Sequence, residues 1–94
     1  MIGIIAKLTL KPGTNAEFEK TMKLLQAKVK SDEPGCKLYA LHKTDDPNAY
    51  VMLERYDDDK ALEAHRASPH FKEIGRKLGD FLVSRPDVQR MQEV

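Results

Sequence analysis

Two histidines five positions apart, His65 and His70, and one glutamate set among apolar residues, Glu54 in Leu53-Glu54-Arg55-Tyr56, are the side chains of this sequence best suited to moving a proton. Histidine changes charge close to neutral pH, and a carboxylate beside it can hold one ring nitrogen and stabilise the charged form. Each of the three lies in a segment otherwise committed to packing, which places them near a pocket. Either histidine is then a candidate catalytic base, with Glu54 as the group that orients it. Tyr39, Tyr56 and Phe71 are the aromatic residues expected to wall that pocket or to hydrogen-bond a substrate. Plainer roles stay open beside these. His65 can close a helix where positive charge is favourable, His70 can satisfy a backbone or Glu partner, Glu54 can pair across a sheet, and the tyrosines can be core or interface.

Other chemistries find little support. His65 and His70 straddle a Ser68-Pro69 break, and two histidines fall short of the three or four ligands of a zinc site, so no metal is expected. Glycines 3, 13, 35, 75 and 79 do not cluster into a phosphate loop or a dinucleotide fingerprint, and no nucleotide cofactor is called for. Cys36 is the single cysteine and reads as a small hydrophobe in a strand, with only Lys37 as a nearby base. His42, beside Lys43 and near Asp45, reads as solvent-facing.

The chain of 94 residues suits one domain spanning 1–94. Sixteen Lys and Arg against fifteen Asp and Glu leave a net charge of +1, with acids and bases interspersed, so neither nucleic acid nor an anionic membrane is an expected partner. The longest apolar stretch, Ile4-Ile5-Ala6, is far too short to cross a bilayer. A lone cysteine and the absence of a secretion signal at Met1–Lys7 point to a reducing, cytoplasmic setting.

The elements that must position the histidines follow from periodicity. Ile2, Ile4, Ala6, Leu8 and Leu10 alternate as in a strand, and Lys11-Pro12-Gly13 ends it. Thr14 or Asn15 can cap a helix carrying Phe18, Met22, Leu25 and Val29 at helical spacing, which Glu33-Pro34-Gly35 stops. Strands over Cys36–Lys43 and Tyr50–Tyr56 flank the turn formers Asp45 to Asn48, a hairpin. Asp57-Asp58-Asp59 suits the start of a short helix with Ala61, Leu62 and His65, and Ser68-Pro69 opens another with Phe71, Ile74, Leu78 and Phe81. Asp87 to Val94 reads as a last strand.

This order predicts an α+β fold of the ferredoxin-like split βαβ type, a four-stranded antiparallel sheet with helices on one face. Leu38, Ala40, Val51 and Leu53 alternate with Tyr39, Leu41, Tyr50 and Met52, so both sheet faces are apolar while helices can cover one. A face-to-face homodimer is the economical cover.

The run from Glu33-Pro34-Gly35-Cys36, through Asp46-Pro47-Asn48 and Leu53-Glu54-Arg55-Tyr56, to His65-x-x-Ser68-x-His70-Phe71 resembles the antibiotic biosynthesis monooxygenase (ABM) domain family over nearly the whole chain. The resemblance implies a dimeric α+β barrel in which each subunit keeps a pocket between sheet and helices. Characterised members include monooxygenases of quinols and anthrones that need no metal or flavin, haem-degrading enzymes, and isomerases of a phosphorylated signalling molecule. The haem branch is not expected: its Asn, Trp and axial His positions fall at Lys7, about His65 and Gly75, and the chain has no Trp. What the resemblance implies is a cofactor-independent monooxygenase of a quinol-like or polyketide-like aromatic, with a histidine base. An isomerase of a small carbonyl compound and a non-catalytic ligand-binding dimer are the alternatives.

Overall fold

The computed structural model describes residues 1–94. Its elements run β1 (Ile2–Thr9), α1 (Asn15–Asp32), β2 (Cys36–Lys43), β3 (Ala49–Tyr56), α2 (Asp59–Ala67), α3 (Pro69–Gly79) and β4 (Asp87–Gln92). The strands form one sheet in the order β2-β3-β1-β4, every neighbouring pair antiparallel. Each helical connection thus passes over one intervening strand, which is the expected split βαβ arrangement.

Alternation decides which side chains meet the helices. Ile2, Ile4, Ala6 and Leu8 of β1 are buried, and their register partners Tyr56, Met52 and Tyr50 on β3 are buried with them. Against this face α1 lays Phe18, Met22, Leu25 and Val29, all at most 3% exposed, so the four-three-four spacing forms a single stripe. The ring of Phe18 packs on Tyr50 and Phe81, with centroids 5.0 and 6.5 Å away. The opposite face keeps Ile5, Ala40, Val51 and Leu53 partly exposed, with Leu38 and Met91 more so.

Helix starts show where local signals prevailed. Asp58 Oδ1 accepts from Ala61 N at 2.9 Å, and Ser68 Oγ accepts from Phe71 N at 3.2 Å with Pro69 in the first turn, as the sequence predicts. The start of α1 differs. Thr14 precedes the helix, but its hydroxyl turns back to Lys11 O, while Asn15 Nδ2 donates to Pro47 O and Tyr50 Oη. Neither side chain caps α1, because the β2–β3 turn offers Asn15 longer-range acceptors. At the chain's far end β4 stops at Gln92, and Leu10 makes only an isolated bridge to Leu82.

Ser68 joins two helices at one atom, since its buried hydroxyl also donates to His65 O at 2.6 Å. Replacing Ser68 with Ala removes both bonds and leaves Phe71 N without its cap. The expected loss is about 1 to 2 kcal/mol, read in denaturant unfolding as a lower midpoint at unchanged slope.

Candidate active site: a carboxylate between two histidines under an apolar cavity

Glu33 closes α1, its backbone N–H bonded to Val29 O at 3.0 Å, and the Pro34-Gly35 turn directs its side chain inward. Gly35 lets α2 come close: a Cβ there would lie 2.7 Å from the Cβ of Ala61. As a result the Glu33 carboxylate, only 9% exposed as a residue, reaches the last turn of α2 and the first turn of α3. His65 Nδ1 lies 3.0 Å from both of its oxygens, and His70 Nε2 lies 2.5 Å from Oε2. An ionised carboxylate only accepts, so both facing ring nitrogens carry protons. In the neutral ring of His65 the lone pair then sits on Nε2.

His65 is 3% exposed, and its ring is enclosed by Phe71, Tyr39 and Tyr56 with centroids at 4.6, 5.1 and 5.4 Å. Nε2 meets no protein partner, yet no buried side-chain nitrogen or oxygen of the chain goes unpaired, so this atom faces open space. A cavity of about 420 Å³ between sheet and helices is lined by His65 with Tyr39, Glu54, Phe71 and a mostly apolar wall that includes Ala6, Phe18, Met22, Met52 and Leu78. The volume is in the range of small-molecule sites.

The electrostatics follow from burial. Desolvation lowers the pKa of His65 from its ordinary 6.5, with the Glu33 carboxylate opposing that shift, so the ring is neutral at pH 7. Desolvation raises Glu54, while the Tyr56 hydroxyl and the charge of Arg66 pull it back. Burial and then the charge of Glu54 push both Tyr39 and Tyr56 far above the ordinary phenol value. The Cys36 thiol rises to about 11, chiefly by burial, and is inert as a nucleophile.

The expected site residues therefore divide. His65, Glu54, Tyr39 and Phe71 line the cavity. His70 bonds the same Glu33 oxygen as His65 and is not part of the wall. Tyr56, expected to contact a substrate, is fully buried, and its hydroxyl donates to Glu54 Oε1 at 2.6 Å. Glu54, expected to orient a histidine, hydrogen-bonds that tyrosine and neither imidazole. The orienting carboxylate is Glu33, which the sequence marked only as a helix stop; an acid directly before Pro-Gly was the available signal. Glu33 also changes the ligand arithmetic, because the donor atoms of Glu33, His65 and His70 lie within 4.8 Å of one another. A metal ion drawn to these three would have to displace the two protons that join them.

An antiparallel sheet backed by helices, with one histidine-bearing cavity between them, defines a ferredoxin-like α+β protein. The sequence profile described as antibiotic biosynthesis monooxygenase matches residues 1–77, and the chain belongs to that family. Among curated relatives, Rv0793 of Mycobacterium tuberculosis and YcnE of Bacillus subtilis, each named "Putative monooxygenase", are both 27% identical, over 90% and 98% of this chain and 82% and 97% of their own. A Caulobacter crescentus crystal structure described as a member of the same monooxygenase group superposes with a TM-score of 0.95 at 36% identity, covering 99% of this chain and 89% of its own. A conserved protein of Methanosarcina mazei gives 0.91 at 30% identity, over 99% and 92% of the two chains. No helix is long and apolar enough to cross a membrane.

The arrangement makes a signed prediction. Because Glu33 opposes the lowering of His65, Glu33→Gln should move the imidazole pKa further below 6.5, and an NMR titration of the ring carbons would read that downward shift. An upward shift would show that the carboxylate is not the group holding His65.

Proposed function

We propose that the protein is a cofactor-independent monooxygenase acting on a phenolic, quinol-like or polyketide-like aromatic, with His65 as the base. The observation that carries this reading is His65 in the lining of an apolar cavity, its Nδ1 held by Glu33 and its Nε2 free of any protein partner. Such a reaction needs a base for the phenolic proton and a water-poor chamber in which the electron-rich anion meets dioxygen. Nε2 takes the proton. The carbanion form of the substrate passes one electron to dioxygen, the radical pair closes a carbon–oxygen bond, and the hydroperoxide collapses to a carbonyl. One oxygen atom enters the product, and the other leaves as water with two hydrogens of the substrate. Glu33 stabilises the imidazolium formed in the first step, and His70 holds Glu33 in place. Glu54 lines the same cavity, where burial disfavours its charged form.

Two copies are proposed to pack sheet to sheet. Ile5, Leu38, Ala40, Val51, Leu53 and Met91 share the face that no helix covers, and a second sheet is the element that buries such a surface. Leu53→Glu should then convert dimers to monomers in sedimentation at micromolar concentration, and wild-type monomers under the same conditions would refute the pairing.

Dioxygen uptake with a panel of hydroquinones and anthrones tests the chemistry. His65→Ala should lower the rate about 10² to 10⁴-fold, and the wild-type rate should fall on acidification with an apparent pKa below 6.5. Uptake that survives His65→Ala unchanged would remove His65 from the mechanism. Exchange of a substrate proton with solvent without uptake would instead favour an isomerase.

A further inference from the structure

Three cations are among the residues that line the cavity: Arg66 from the end of α2, and Lys72 and Arg76 one turn apart on α3. None has a carboxylate within ion-pairing distance, although Glu63, Glu73 and Asp80 lie three or four positions from Arg66 or Arg76 and could have paired with them on their own helices. Four other basic residues are paired, Lys37 with Asp57, Lys43 with Glu19, Arg55 with Glu93 and Arg90 with Asp59, and the remaining nine are unpaired like these three, which are set apart by their place in the lining of the cavity. In a chain of net charge +1, three unpaired cations around a largely apolar chamber are a local excess of one sign. Glu54 is the one acid in the wall; its carboxyl is hydrogen-bonded by Tyr56 and feels the charge of Arg66 without forming an ion pair with it.

The helix that carries two of these cations also places glycines in the lining. Gly75 and Gly79 stand one turn apart on α3 and line the cavity, and a Cβ at either position would meet nothing within 4 Å. At Gly75, inside α3, alanine would favour the helix by roughly 0.5 to 1 kcal/mol, so glycine there keeps open a part of the lining that a side chain would fill.

We propose that the substrate carries an acidic group, and that Arg66, Lys72 and Arg76 hold it at the mouth while its aromatic part enters the cavity toward His65. This deepens the reading of the cavity as a substrate site and rests on it. An apolar chamber supplies affinity with little sense of direction, whereas an anion fixed at the rim sets which end of the molecule faces Nε2. The guanidinium groups suit a planar carboxylate or a phosphate in two-point contact, and the ammonium of Lys72 adds a point charge.

Binding, read from ligand fluorescence in the absence of turnover, separates this inference from the chemistry. The probes are naphthol, hydroxynaphthoate and naphthyl phosphate, which share one ring system and differ in charge. At low salt an acidic probe should bind about tenfold tighter than naphthol, and the advantage should shrink as salt is raised. The triple variant Arg66→Gln, Lys72→Gln, Arg76→Gln should lose that advantage while binding naphthol as before, which also reports that the cavity is intact. The order of the two acids tells whether carboxylate or phosphate is preferred. Equal binding of all three probes, or an advantage that survives the triple variant, would overturn the inference and leave the cavity reading standing. Failure of every probe to bind wild-type protein would overturn both.

Discussion

A carboxylate buried at the end of α1 is the constraint on which the site depends. An ionised group withdrawn from water costs several kcal/mol unless it is paired and hydrogen-bonded. Glu33 meets that requirement with two imidazoles from different helices, so the α1–β2 turn, the end of α2 and the start of α3 cannot shift independently. Gly35 permits the approach of α2, and Ser68 ties the two helices that carry the histidines. One set of hydrogen bonds thereby does two things. It hydrogen-bonds a buried carboxylate, and it settles which nitrogen of His65 is left without a protein partner.

Around this polar cluster the design is conservative. Tyr39, Tyr56 and Phe71 surround the imidazole with rings, which lowers the dielectric near it and keeps it neutral. Tyr56 joins Ile2, Ile4 and Leu62 in a small core at one end of the sheet, and the larger core built on Phe18, Met22 and Leu25 lies alongside the cavity. A chain of 94 residues that keeps 420 Å³ open among its apolar residues forgoes packing contacts there. The uncovered sheet face offers apolar surface whose burial by a second copy would offset part of that loss.

Membership of the monooxygenase family fits this picture at the level of architecture, and the geometry narrows the chemistry further. His65 and His70 are five residues apart and hydrogen-bond the same carboxylate oxygen, yet only His65 lines the cavity. Glu54 and Tyr56 form a second pair, hydroxyl to carboxylate, in which Tyr56 supports the wall from behind.

Much of the fold was legible in the sequence because it depends on short-range rules. Period-two alternation in β1, helical spacing in α1, the cap residues Asp58 and Ser68, and the turn formers between β2 and β3 act over a few residues, and the structure keeps them. Thr14 and Asn15 show the limit, since a plausible local cap gave way to an acceptor 32 residues away. The candidate histidines were also evident, because the sequence sets few groups that titrate near neutrality among packing residues. Their partner was not. Glu33 lies 32 positions before His65 and 37 before His70, and nothing in local spacing says that a helix-ending acid will meet them. Sequence by itself determined the elements, the sheet they form and the residue types available for proton transfer. Tertiary structure alone decided which carboxylate faces which ring, which histidine sees the cavity and which tyrosine is sealed beneath it. Those outcomes are set by how separate elements pack, and the energy of a buried charge depends on its neighbours in space rather than along the chain.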